Sequence, residues 1–109
     1  KLVEFVDCKD VLVSNLTLRN SPFWTLHPIF CTNVRVSHLR VLAPRDHGNT
    51  DGIDPAGADF YVHDVTINND DDSIAVKPSD SRMITTCSEN MLFERLVLTG
   101  FGALADSPE

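Results

Sequence analysis

Hydrophobic residues recur at fixed offsets in four similar stretches of the chain. The stretches start at Cys8, Cys31, Gly57 and Ser88, and apolar side chains stand three, five, eight and ten residues after each start. The positions are Val11, Val13, Leu16, Leu18; Val34, Val36, Leu39, Val41; Phe60, Val62, Val65, Ile67; and Met91, Phe93, Leu96, Leu98. A spacing of two is that of a strand with alternate side chains turned inward. A polar pair halfway along each stretch predicts two short strands joined by a tight turn.

The repeat predicts a solenoid. Its starts are 23, 26 and 31 residues apart, and helical spacing over ten or more residues is absent. Short strands and turns in a repeat of this length favour an all-β fold, a right-handed parallel β-helix of about four coils. A third strand per coil is expected at Ile53, Ile74–Val76 and Ala103–Ala105. A leucine-rich repeat is the competitor, but Val, Ile, Phe and Met share the inner positions with Leu.

Length and charge narrow the classes of function. The 109 residues suit one domain, which we interpret as residues 1–109 of a β-helix truncated at both ends. The sequence shows neither a signal peptide nor an apolar run long enough to span a bilayer. The net charge is −7, and residues 51–109 hold twelve Asp and Glu against three Lys and Arg. This excess argues against a nucleic-acid binder, which needs a basic face.

The cysteines and histidines indicate no metal site. Cys8 and Cys31 occupy the same position of the repeat, so we expect a ladder of free thiols, with a disulfide as the alternative. His27, His47 and His63 occupy different positions of the repeat and are expected to be exposed or to lie in turns.

Two acidic segments carry the candidate chemistry. Asn49–Asp54 and Asp70–Lys77 each bring carboxylates up to a short apolar run. Aligning Ile53 with Ile74 places Asp51 over Asp72, with Asp71 beside them. One coil then separates the stacked carboxyl groups by roughly 5 Å, and at least one pKa should be raised. A proton donor beside carboxylates that hold a water suits inverting glycosidic cleavage; turn-forming aspartates are the alternative.

The same segments resemble signatures of the polygalacturonases, pectin-degrading glycoside hydrolases with a β-helical fold. Asn49-Thr50-Asp51 resembles one signature and Asp71-Asp72 a second. The flanking stretches 15–24 and 74–77 are also similar to the family. The resemblance implies an inverting hydrolase of α-1,4-linked galacturonan that needs no cofactor or metal. It further implies a secreted protein, monomeric at full length, whose partner is the polysaccharide rather than nucleic acid or a membrane.

The resemblance also implies roles for individual residues. Asp71 would be the general acid, and Asp51 and Asp72 would hold and deprotonate the attacking water. Four residues are assigned to substrate binding, namely Asn49, Lys77, Phe101 and Gly102. From its sequence position alone, Lys77 is expected to be solvated or paired with an aspartate. Trp24 either stacks on a sugar or packs in the core.

Two departures from the family pattern keep other functions open. The third signature, Gly-His-Gly, is replaced by Gly100-Phe101-Gly102, and Phe101 cannot donate a hydrogen bond. The fourth, an Arg and Lys pair, would lie beyond Glu109. A carbohydrate-binding β-helix with impaired catalysis is therefore one alternative, and a calcium-dependent pectate lyase is another.

Overall fold

The described part of the chain is built from strands. The computed structural model describes residues 1–43, 46, 48–78, 87–100 and 102–106, and no helix occurs among them. The strands are β1 (Val3–Val6), β2 (Lys9–Arg19), β3 (Leu26–Leu42), β4 (Ala56–Asn68), β5 (Asp72–Val76), β6 (Glu89–Thr99) and β7 (Gly102–Asp106). The described residues therefore contain no helix that could cross a membrane.

All strand pairs among the described residues are parallel. β1 and β2 both pair with β3, β3 pairs with β4, β4 pairs with β6, and β5 pairs with β7. Each coil therefore stacks on the preceding one, and the predicted parallel β-helix is confirmed. A right-handed winding is the sense that crossovers between parallel strands favour.

The pairing register follows the sequence repeat. Val11 pairs with Val34, Val34 with Phe60, and Phe60 with Met91, so the first inward position forms one ladder through four coils. The predicted third strands also occur, as β5 and β7, while Ile53 forms isolated bridges to Leu26 and Ile74. The repeat thus determines which residues stack.

The bend inside each repeat differs from the expectation. Asn15, His38, Asp64 and Arg95 all adopt a positive φ, between 51° and 58°. Strands β2, β3, β4 and β6 nevertheless run through these positions. The expectation of two strands separated by a tight turn was therefore wrong. A single left-handed residue redirects the chain, and pairing resumes directly after it.

The hydrophobic core lies inside the stack of coils, where the inward side chains of successive strands meet. Inward side chains of β3 and β4 are buried, because both strands have a paired neighbour on each side. The corresponding residues of β6 are half-buried. Leu16 was expected to face inward but is 49% exposed, since β2 pairs with β3 alone. Cys8, half-buried, and Cys31, buried, are free thiols, as is the exposed Cys87, which confirms the expected ladder over a disulfide.

Candidate active site

The ladder through Ile53 brings the two acidic segments together. Ile53 bridges Ile74 in parallel register, and the Ile53 N–H donates to the Ser73 carbonyl oxygen at 3.0 Å. One residue earlier, the Gly52 N–H donates to the Asp72 carbonyl oxygen at 3.1 Å. The alignment inferred from the sequence is therefore the one observed, and Asp51 lies one coil away from Asp72.

Three carboxyl groups meet at this place. One oxygen atom from each of Asp51, Asp71 and Asp72 lies within 4.8 Å of the other two. Asp51 is buried, whereas Asp71 and Asp72 are half-buried and so accessible to a ligand. A single water molecule could contact all three. An acidic cluster alone does not identify a metal centre, because exposed carboxylates often cluster without an ion.

Backbone N–H groups orient Asp71. The Asn49 N–H donates to Asp71 Oδ2 at 2.7 Å, and the Asp72 N–H donates to Asp71 Oδ1 at 2.9 Å. Asn49 is exposed and adopts a left-handed conformation with a φ of 58°. That conformation suits Asn better than most residues. Asn49 therefore contacts the site through its main chain, and its side chain faces solvent.

Asn69 joins the two acidic loops and was not identified from the sequence. Its side chain is fully buried, and the two N–H groups of its Nδ2 are shared among the carbonyl oxygens of Thr50, Asp71 and Asp72, at 2.8–3.0 Å from the nitrogen. Its Oδ1 accepts from the Ser73 hydroxyl at 3.2 Å. Because a buried amide is costly unless it is hydrogen-bonded, these contacts hold the loops in one arrangement. The one sequence feature that could have identified Asn69 is its position directly before three consecutive aspartates.

Burial changes the acidity of Asp51. Loss of solvent raises the pKa of its carboxyl group above the ordinary value, and the Asp71 carboxylate adds to the rise. The neighbouring Asp54 carboxyl group and the charge of Lys77 act in the opposite direction. A raised pKa among the clustered carboxyl groups was predicted, but desolvation, rather than repulsion between like charges, is its main cause.

Lys77 lies within the site rather than in solvent. Its side chain is 7% exposed, and Nζ is 3.7 Å from Asp51 Oδ2 and 3.6 Å from Asp54 Oδ1. The expectation of a solvated lysine was therefore wrong, and its stated alternative, pairing with an aspartate, is observed. Asp54 was missed by sequence reasoning, although it belongs to the same short acidic segment as Asp51.

An aromatic pair borders the carboxyl cluster. The Thr25 N–H donates to the Asp51 carbonyl oxygen at 2.8 Å, so Trp24 lies one coil before Asp51. The Trp24 ring is half-buried and stacks on exposed Phe23, with centroids 5.3 Å apart. Lys1 Nζ lies 5.2 Å and Lys77 Nζ 4.3 Å from the Trp24 ring centroid.

The other predicted residues have different outcomes. Gly102 pairs with Asp72 in register and borders the cluster. Phe101 and His47 lie outside the described residues. His27 and His63 are buried in strands β3 and β4 rather than exposed or in turns as expected. Nδ1 of each ring has a carboxylate partner, Glu4 at 2.6 Å for His27 and Asp64 at 2.7 Å for His63.

Fold and site together define a parallel β-helical protein with a compact group of carboxyl groups on one wall. Residues 1–93 match the family model of the glycosyl hydrolases family 28. The chain therefore belongs to the glycosyl hydrolases of family 28, and the resemblance to polygalacturonases is confirmed.

Individual relatives agree with this family. The chain is 40% identical over 77 residues to a probable polygalacturonase of Vitis vinifera, covering 70% of this chain and 16% of the relative. It is 41% identical over 78 residues to a polygalacturonase of Chamaecyparis obtusa, covering 69% of this chain and 15% of the relative. The chain is 28% identical over 105 residues to a probable rhamnogalacturonase A of Aspergillus oryzae, covering 96% of this chain and 21% of the relative. No solved structure matches the chain. The chain thus spans about a sixth of the length of the first two relatives.

Proposed function

We propose that the full-length protein is a glycoside hydrolase that cleaves α-1,4-galacturonosidic bonds of pectin. The observation that carries this proposal is the cluster of Asp51, Asp71 and Asp72, with oxygen atoms within 4.8 Å of one another. Hydrolysis of a glycosidic bond uses a carboxylic acid to protonate the leaving oxygen and a carboxylate to act opposite it. The names of the similar proteins, polygalacturonase and rhamnogalacturonase, support pectin as the substrate.

We assign the roles as the family resemblance implies. Asp71 protonates the glycosidic oxygen, and Asp51 and Asp72 hold and deprotonate the attacking water. Asn49 supports Asp71 through its N–H. The raised pKa of Asp51 would also suit a general acid, so an exchange of roles between Asp51 and Asp71 is the alternative to test.

Inversion at the anomeric carbon is part of the proposal. Inverting enzymes usually separate their two carboxyl groups by about 6.5–9.5 Å and retaining enzymes by about 5–5.5 Å. The closest oxygen atoms of this cluster are nearer than the inverting range. In the proposed mechanism two carboxylates, Asp51 and Asp72, hold the attacking water, where the usual inverting enzyme uses a single base. This difference would account for carboxyl groups that lie closer together than the inverting range. NMR of the first product settles the matter: the β-anomer means inversion, and the α-anomer means that a carboxylate acts as nucleophile.

The main experiment measures reducing ends released from polygalacturonate by the full-length protein. The variants D51N, D71N and D72N should each lower kcat by about 10²–10⁴-fold, the usual contribution of an acid or base. Asp59→Asn is the matched control, because Asp59 is an exposed carboxylate bound to Asn90 away from the cluster. Activity retained in all three site variants would refute the proposal.

A substrate with a good leaving group separates the roles. α-Galacturonosyl fluoride loses fluoride without protonation, so a variant lacking only the general acid should still hydrolyse it. We expect D71N to hydrolyse the fluoride, and D51N and D72N to fail. Hydrolysis by D51N and failure of D71N would exchange the two assignments.

Phe101 favours a second candidate, a carbohydrate-binding β-helix with impaired catalysis. It stands where the family signature has a histidine, and phenylalanine cannot donate a hydrogen bond to substrate or acid. Binding of oligogalacturonate without turnover, together with turnover gained by Phe101→His, would establish this candidate. A pectate lyase would instead require calcium and form an unsaturated product that absorbs in the ultraviolet.

The polysaccharide partner implies a location. Pectin lies outside cells, so we propose that the full-length protein is secreted and acts as a monomer. Asn15 of the sequon Asn15-Leu16-Thr17 is exposed and would carry glycan in a secretory pathway. Culture-medium fractionation and mass spectrometry of the secreted protein test the location, and light scattering tests the monomer.

A further inference from the structure

A fully buried carboxyl group lies behind Asp51. Asp54 is 0% exposed, and neither side-chain oxygen has a hydrogen-bond partner among the described residues at ordinary geometry. Its backbone is held by an N–H bond of 2.8 Å to the Leu26 carbonyl oxygen in the preceding coil. Burying a polar group without a partner costs several kcal/mol, roughly 2–7. Neither the proposed acid nor the proposed bases account for a carboxyl group in this position.

Lys77 links this buried carboxyl group to Asp51. The ammonium lies 3.6 Å from Asp54 Oδ1 and 3.7 Å from Asp51 Oδ2, so it is shared between the two. The Trp24 ring, 4.3 Å away, lies against the same ammonium. With its side chain 7% exposed, Lys77 has its charge directed at these groups rather than at solvent.

We propose that Asp54 and Lys77 form a positioning pair that holds the Asp51 carboxyl group in the orientation facing Asp71 and Asp72. The inference rests on the proposed function, in which Asp51 helps to hold the attacking water. In this arrangement Lys77 acts on Asp51 rather than binding substrate, the role that the family resemblance implies for it, and Asp54 does not touch substrate either. Asp54 holds the Lys77 ammonium from the buried side, and Lys77 supplies the positive charge beside the Asp51 carboxylate.

The protonation of Asp54 follows from its surroundings. Burial raises its pKa to about 9, with a further rise from the Asp51 carboxylate and an opposing effect of Lys77. Asp54 is therefore neutral over the acidic and neutral pH range, so it does not compete with Asp51 for the charge of Lys77. The charged groups close to Asp51 are then Lys77, Asp71 and Asp72.

Three substitutions in the full-length protein separate positioning from simple packing. Asp54→Asn keeps a neutral side chain with an oxygen beside Lys77, so kcat should stay within about threefold. Asp54→Ala removes that oxygen and lets the ammonium move, and kcat should fall about 10²-fold, as for a misplaced catalytic group. Lys77→Met keeps the contact with Trp24 but removes the charge, and kcat should fall in the same direction. KM for polygalacturonate should change little in all three.

Titration of Asp51 gives a readout that does not depend on hydrolysis. The carboxyl ¹³C resonance of Asp51 is assigned by its absence in D51N, and its midpoint is followed by NMR. Displacement or loss of a nearby positive charge disfavours the ionised form, so Asp54→Ala and Lys77→Met should raise the midpoint. Asp54→Asn and the distant control Asp59→Asn should leave it unchanged.

The outcomes distinguish the inference from the proposed function. If the wild type cleaves no polygalacturonate but the midpoint rises as described, the proposed function fails and the positioning pair stands. If Asp54→Asn loses kcat as strongly as Asp54→Ala, or if the Asp51 midpoint moves in no variant, the positioning pair is refuted. Should Asp54→Ala not fold, Asp54→Asn and Lys77→Met still decide by the same two readouts.

Discussion

Gly102 lies directly against the carboxyl group of Asp72. A β-carbon at position 102 would be 1.9 Å from Asp72 Oδ1 and 3.0 Å from its carboxyl carbon. Real β-carbons do not approach atoms so closely, so any larger residue at position 102 would force the Asp72 carboxyl group to move. The backbone of β7 therefore forms one wall of the cluster.

The first prediction concerns this wall. Gly102→Ala should displace the Asp72 carboxyl group and lower kcat about tenfold or more, because a shift of about 1 Å in a reacting group can cost up to 10²-fold. Enzyme assays of the full-length protein measure the effect. Gly48→Ala is the comparison, since its β-carbon would meet Asp71 Oδ2 at 3.5 Å, an ordinary contact. Equal activity of the two variants would contradict the prediction.

The second prediction concerns Asn69. Asn69→Ala leaves three carbonyl oxygens of the acidic loops without their amide donor. The free energy of unfolding should fall by about 2–3 kcal/mol, because buried groups lose their hydrogen bonds. Urea unfolding of the full-length protein measures it. Asn33→Gly, which removes an exposed bond to Asp10 and suits the positive φ, should cost under about 1 kcal/mol. A similar loss in both would argue against a special role of Asn69.

The third prediction is a dependence of stability on pH. The folded-state pKa of Asp54 is about 9, far above the value of about 3.9 in an unfolded chain. Between these values the folded state binds more protons, so Asp54 makes the free energy of unfolding decrease as pH rises. Asp54→Asn removes this contribution. Its stability relative to the wild type should therefore rise between about pH 5 and about pH 8, by up to about 1.4 kcal/mol per pH unit. Urea unfolding at both pH values tests it, and a constant difference would contradict it.

The fourth prediction concerns Trp24. Since Trp24 lies one coil before Asp51, a chain of sugars running along the coils would pass over its ring. Trp24→Leu should raise KM for oligogalacturonate about two- to tenfold, as expected for loss of about 0.5–1.5 kcal/mol of ring contact. Trp24→Phe keeps a ring and should retain most of the affinity. A loss of thermal stability with unchanged KM would instead identify Trp24 as a packing residue.

The repeat and the alignment of the carboxyl groups followed from the sequence. The offsets after Cys8, Cys31, Gly57 and Ser88 predicted the ladder of inward residues, because alternation along a strand is a local property. Aligning Ile53 with Ile74 placed Asp51 over Asp72, since stacked coils keep their anchors in register. Predicting which residues stack needs only the length of the repeat and one apolar residue that occupies the same position in each coil.

The surroundings of the site required coordinates. Whether Lys77 extends into solvent or folds back towards Asp51 and Asp54 depends on the Trp24 ring in an earlier coil, which no local pattern encodes. The burial of Asp54 and the three carbonyl contacts of Asn69 likewise arise from backbone that is distant in sequence. Sequence periodicity specifies which residues stack, whereas the direction and solvation of each side chain depend on the coils packed around it.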